Sequence, residues 1–296
     1  MLEPLSSISS EIPRSSMQDS TDPNDKVYVI LNLVAEGTHP LLSVRSSDYA
    51  LDTAVLYRRV ILDLLRNEQG LRPLIGFQGE SKSVPDLPSR AVDWTHPPAE
   101  QEVAAAWEHN KFWFNYTAHQ GLPMLDLKKL TSPDYGEDVL NVNGVLFDKI
   151  LVCTDIIAKE ETKYRPHEMV DEVDNEGAGR RASPWRNYAD NEVIMEGIPS
   201  NVYWREDMLR HQRLFITENG AAGLGPSGTS IEDKVRVLSG GHCPFLLGPL
   251  DENDTAAKGQ HSLYHYTFRG DVFVPRIMAG EAVDSSIENQ GFVHIH

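Results

Sequence analysis

The sequence predicts an α+β fold, with a helical N-terminal half joined to a C-terminal antiparallel β-rich sheet or small barrel. Three observations lead there. Apolar residues recur at helical spacing in the first half, most clearly in DTAVLYRRVILDLLRN at 52–67. From residue 213 the chain turns to short runs of strand formers, RLFIT, KVRVL, PFLLG, LYHYTFRG and DVFVPRIM, parted by glycine turns. Between these halves, VLNVNGVLFDKILVC carries Asn143-Gly144, the favoured pair for a two-residue hairpin turn, with strand formers on both flanks.

Residues 1–20 are rich in Ser and Pro without hydrophobic period, which predicts a disordered tail. A mainly helical region follows over 21–130. At its start Thr21 or Asp22 is placed to cap a helix, Pro23 suits the first turn and Asp25 the positive dipole end. Val27, Ile30, Leu31 and Val34 then share a helical face, although the run Val-Tyr-Val-Ile also suits a strand. The helix from Asp52 puts Leu56, Val60 and Leu64 on one side, and Gly70 is placed to end it. Residues 83–94 are proline-punctuated loop ending on the apolar anchor Trp94. Residues 99–119 read as helix again, with Val103, Trp107 and Phe114 inward. The stretch 131–212 reads as the hairpin, a long polar and acidic loop, and a partly helical segment. Residues 213–284 form the β-rich region and 285–296 a tail, with 21–284 as one compact unit.

Composition narrows the function classes. Over 296 residues, 27 Lys and Arg stand against 44 Asp and Glu, a net charge of −17. Binding to a nucleic-acid backbone requires clustered positive charge, so no nucleic-acid partner is expected. No apolar run approaches the length that spans a bilayer, and the N-terminus lacks the basic and apolar regions of a signal peptide. Cys153 and Cys243 are the only cysteines, which speaks against a disulfide framework and a structural zinc site. A cytoplasmic protein without membrane partner is the expectation.

The glycine spacing Gly223, Gly225, Gly228 matches G-x-G-x-x-G literally. A dinucleotide cradle needs a helix opening directly after the motif, because the helix N-terminus receives the pyrophosphate. Here Pro226 interrupts the motif, and Lys234 to Leu238 alternates as a strand. The glycines are therefore read as turn residues supplying positive φ, and no cofactor is expected.

Taken together, the C-terminal pieces resemble the carboxyl-terminal region of fungal heterokaryon incompatibility (HET-domain) proteins. The residues that carry the resemblance are Arg213 to Thr217, Gly220, Gly223 to Pro226, Asp233, Val235 to Gly241, Pro244 to Leu247, Gly270 and Ile277 to Ala282. Upstream, TDPNDKVYVILNL, DYALDTAVLYRRVILDLL and LPSRAVDW look like the segment following the HET domain in those proteins. Family members often carry Arg near Gly248 and His-Gly at the place of Pro275-Arg276. The HET domain itself, regarded as the death-inducing module, has no counterpart in this sequence. The resemblance implies a role in non-self recognition after hyphal fusion.

Chemistry is sparse. Ser227 in Gly-Pro-Ser-Gly is a turn residue rather than a nucleophile elbow, and no Walker, H-E-x-x-H or C-x-x-C sequence occurs. His261 and His265 share a strand face but sit roughly 13 Å apart, too far for joint metal ligation. His294 and His296 are assigned to the solvated tail, so no metal is expected. Two weak catalytic candidates remain. His242, after Gly240-Gly241, is a possible acid or base, although its neighbour Cys243 should point to the opposite face. Glu281, inside the Met278 to Ala282 stretch, is the second; a carboxylate bonding nearby backbone amides is the simpler reading. The expected function is recognition through a protein partner. The alternative is a cofactor-independent cyclase, isomerase or hydrolase of fungal secondary metabolism acting on a small-molecule ligand. The sequence leaves open whether the chain is an enzyme.

Overall fold

A computed structural model describes residues 20–29, 47–76, 82–95, 116–132, 136–154, 212–250, 265–284 and 290–296. Among the described residues the strands are β1 (Thr131–Ser132), β2 (Gly136–Cys153), β3 (Gln212–Thr217), β4 (Ala222–Pro226), β5 (Lys234–Leu238), β6 (Phe245–Pro249), β7 (His265–Asp271) and β8 (Gln290–Ile295). They form one sheet in the order β4-β3-β2-β5-β6-β7-β8, with β1 beside β2. Because β8 pairs with β2 as well as with β7, five strands close into a ring: β2, β5, β6, β7, β8.

Long β2 organises this ring. Its residues Leu140 to Val145 pair with β8, Gly144 to Lys149 with β5, and Ile150 to Cys153 with β3. The β3–β4 hairpin thus continues the sheet beyond the point where β8 leaves β2. A bridge from Leu224 to Phe273 returns β4 to the chain just after β7. Every strand pairing is antiparallel except β7–β8.

This architecture overturns the predicted α+β class with its helical N-terminal half. Before β1, the described residues hold a helical turn at 25–29, the helix α1 (Thr53–Glu68) and a 3-10 turn at Arg72–Leu74. The stretches 82–95 and 116–130 are irregular. The predicted helix over 99–119 falls mainly outside the described residues, as do the acidic loop and the segment 188–211. Side chains replace helix bonding in 82–95. The Lys82 ammonium donates to the carbonyls of Pro88, Ser89 and Ala91. Asp93 accepts from the N–H groups of Ser83, Val84 and Thr95. Backbone groups satisfied this way need no helix or ladder.

α1 follows the sequence closely. Asp52 is its N-cap and accepts from the N–H groups of Ala54 and Val55. Gln69, not Gly70, takes the left-handed conformation at its end, with φ 53°. Leu56, Tyr57, Val60 and Leu64 are fully or nearly fully buried with Trp94, Leu140, Phe245, Leu247, Val293 and Ile295 in one apolar cluster. The ring of Tyr57 meets that of Trp94 edge-on at 4.7 Å. A second cluster gathers Ile150, Phe215, Val235, Val237 and Leu246 from the strands with Val272 and Val274 from the stretch just after β7. Burying each such side chain contributes roughly 1.5–3 kcal/mol, which fixes the register of the ring.

Two turn assignments also fall. Asn143-Gly144 makes no hairpin, since β2 runs unbroken through both residues. Gly144 serves close approach instead: a Cβ there would lie 2.6 Å from Leu238 Cδ2 and 2.7 Å from the Val237 carbonyl oxygen. Gly223 and Gly225 lie within β4 and have no positive φ; Gly220, with φ 79°, makes the turn. A Cβ at Gly225 would stand 2.4 Å from Thr229 Oγ1. Strand β5 follows this glycine stretch. The predicted tail is corrected too, because 290–295 is the strand that closes the ring and buries Val293 and Ile295. No helix among the described residues is long and apolar enough to cross a membrane.

Candidate functional site

The two candidate residues border the same segment, 116–122, at different places. On one side, Ala118 N–H donates to the His242 carbonyl and His242 Nδ1 lies 3.0 Å from the Tyr116 carbonyl oxygen. On the other, Thr117 N–H donates to the Met278 carbonyl, and Gly280, with φ 98°, packs against Gln120. A Cβ at Gly280 would come within 3.1 Å of the Gln120 carbonyl, so this turn admits glycine alone without strain.

The segment delivers a residue that sequence reasoning missed. His119 Nδ1 lies 2.9 Å from the Gly241 carbonyl oxygen, and its ring meets that of His242 edge-on, with centroids 5.5 Å apart. A carbonyl accepts only, so each imidazole donates from Nδ1. In the neutral tautomer the lone pair of the His119 ring then lies on Nε2. Burial holds His119 below its ordinary pKa, with the adjacent His242 ring adding to the effect. His119 stood in a stretch read as helix, and its partner Gly241 is 122 residues away, so no local pattern marks the pair.

Glu281 opens the short helix α2 (Glu281–Asp284), and its Oε2 accepts from Ala279 N–H at 2.8 Å. That is the backbone-bonding role given above as the simpler reading. Cys243 is fully enclosed, and burial pushes its thiol well above the ordinary range, so it holds no nucleophilic thiolate at neutral pH. Cys153 is half-buried near Arg213 and Thr229. The native chain is expected to give one thiol accessible to a maleimide reagent, at Cys153, and two after denaturation. Two rapid labelling events before denaturation would contradict the enclosure of Cys243.

His294 and His296 depart from expectation. His261 lies outside the described residues. His265, at the start of β7, is buried, and His294 and His296 stand against it at the end of β8 rather than in a solvated tail. Among the described residues, no three His, Cys, Asp or Glu side chains are arranged to hold a metal ion.

The family model of the Het-6 beta-barrel domain matches residues 158–294. Over that part of the chain the match bears out the resemblance to heterokaryon incompatibility proteins drawn from the sequence. No curated protein and no solved structure matches the chain.

Proposed function

We propose that this chain acts in fungal non-self recognition and that it does so by contacting a protein partner. The observation that carries the reading is the Het-6 beta-barrel match over 158–294, which takes in β3 to β7 and nearly all of β8, the strands that close into a ring with β2 or extend it. The match supports a heterokaryon-incompatibility-type protein. Contact with a partner is the step beyond it, and the surface gives it a starting place. Leu151 on β2 and Ile231 in the β4–β5 turn are both more than half exposed. They are neighbours, because Glu232 N–H donates to the carbonyl of Ile150. Two exposed aliphatic side chains beside the Lys149 ion pairs with Glu218 and Glu232 make a small apolar spot with a charged rim.

An enzymatic reading has one observation in its favour, the paired imidazoles of His119 and His242. One experiment separates the two. The gene is deleted in its fungal host and the strain is confronted with a panel of tester strains. Loss of incompatibility in at least one pairing is expected, with recovery on returning either the natural chain or its His119→Asn, His242→Asn double variant. Unchanged compatibility in every pairing, together with an accumulated metabolite that the purified chain converts, would overturn the proposal. In that case the double variant should lose the conversion by roughly 10²–10⁴-fold.

A further inference from the structure

The closing strand meets β7 in the sheet's parallel pairing, with His265 opposite His294 and Tyr266 opposite Ile295. Paired residues share a face, and so do residues two apart on one strand. His265, His294 and His296 are thereby gathered at one point of the seam. The His265 and His294 rings stack at 4.7 Å with planes 23° apart. His265 and His296 have centroids 5.0 Å apart, and His265 Nδ1 lies 2.7 Å from His296 Nε2. The backbone closes around them. His296 N–H donates to the Tyr266 carbonyl, while Ser89 donates both its N–H and its hydroxyl to the His296 carbonyl.

We propose that this seam is a proton-operated clasp, closed while the three imidazoles hold at most one extra proton and opened when a second binds. The contact between two ring nitrogens at 2.7 Å requires one hydrogen between them. A neutral pair supplies it, and so does a pair carrying one added proton. A second added proton sets N–H against N–H and the bond is lost. His294, stacked on His265, meets like charge at short range if it protonates instead.

Among the described residues, these are the charged groups around the seam. From the 82–95 loop, Arg90 donates to the Ile295 carbonyl and Lys82 to that of Ser89. From β5, Arg236 lies on Tyr266. The carboxylates at the start of β2, Glu137 and Asp138, are paired with Arg59 and Arg58 of α1. Asp93 is occupied by the 82–95 loop's own N–H groups.

The sign follows. A released histidine titrates near its ordinary value of about 6.5, so below that pH the open seam binds more protons than the closed one. Burial already holds His294 lower, in the same sense. Closure therefore weakens as pH falls, by up to about 100-fold per pH unit where two protons are withheld. Lys82, which burial brings down to about 7, titrates differently between its two states only between there and 10.5, above this window. Release of the end of β8 frees the β7 edge at His265 and Tyr266, where unpaired N–H and C=O groups can accept another strand.

Amide hydrogen exchange on the full chain at pH 7.0 and 5.5, corrected for intrinsic rates, tests the clasp. Protection over residues 290–296 should fall at least tenfold at the lower pH while β5 and β6 keep theirs. His294→Gln and His296→Gln should each shrink that fall. Ring NMR of the unaltered chain gives a check that needs no variant: at least one of the three imidazoles should stay neutral below pH 5.5. Protection at 290–296 that does not change with pH would overturn the proposal. So would an equal loss across β5 and β6, undiminished pH dependence in both variants, or three rings titrating independently near 6.5.

Discussion

Replacing Arg90 by methionine is expected to destabilise the fold by roughly 3–5 kcal/mol, counting about 1.5–3 kcal/mol for each strong bond from a charged donor. Arg90 is 1 % exposed. Its Nη1 donates to the Asp138 carbonyl at 2.6 Å and more weakly to that of Ile295, and its Nη2 donates to the Glu137 carbonyl. One guanidinium thus holds the beginning of β2 to the end of β8, the two strands that close the ring. Burial first, and then Arg58 nearby, lowers its pKa to about 10, which still leaves it charged at neutral pH. Methionine keeps much of the volume and leaves buried carbonyls without their donor. Lysine should recover less than half of the loss, because a single ammonium cannot reproduce the planar fork that spans two strands. Urea unfolding checks this: the midpoint should drop with little change in slope. A loss under about 1 kcal/mol would mean that water replaces the guanidinium and that the ring closes without it.

Arg90 also shows what kind of information the sequence carries and what it withholds. The segment LPSRAVDW stood out by resemblance, yet nothing local says that its Arg reaches carbonyls 47, 48 and 205 positions away. Elements set by neighbouring residues were legible. The apolar stripe of α1 and its Asp52 cap lie within a few residues of one another, and the strands from 213 onward are short runs of strand formers bounded by turn residues. Where tertiary contact decides, local signals misled. Asn143-Gly144 has the chemistry of a turn, but pairing on both edges of β2 held it extended. GFVHIH alternates as a strand should, with Val293 and Ile295 inward, yet its place near the end of the sequence drew it into a tail. The candidate site divides the same way. His242 was visible through the glycines before it, whereas His119 acquires meaning only once segment 116–122 packs on that turn.

Gly144→Val should cost roughly 3 kcal/mol or more, at or beyond the upper end of ordinary overpacking. The residue pairs with Leu238 on one edge and Gly291 on the other, so β2 cannot shift there without disturbing two ladders. A Cβ would sit 2.7 Å from the Val237 carbonyl oxygen and 3.4 Å from Leu238 Cα, atoms of the β5 backbone that no rotamer change can move away. Relief requires β5 to separate from β2 at the middle of the ring. Gly291 supplies the control, because it faces Gly144 across the β2–β8 ladder and a Cβ on it would meet nothing within 4 Å. Gly291→Val should be neutral or slightly stabilising, since a β-branched residue suits an uncrowded strand position better than glycine does. Thermal or urea unfolding of the two variants reads the difference directly. Equal melting behaviour would show that crowding against β5 is not what holds glycine at 144. A large loss at 291 alone would place the tight contact on the β8 side of the ring.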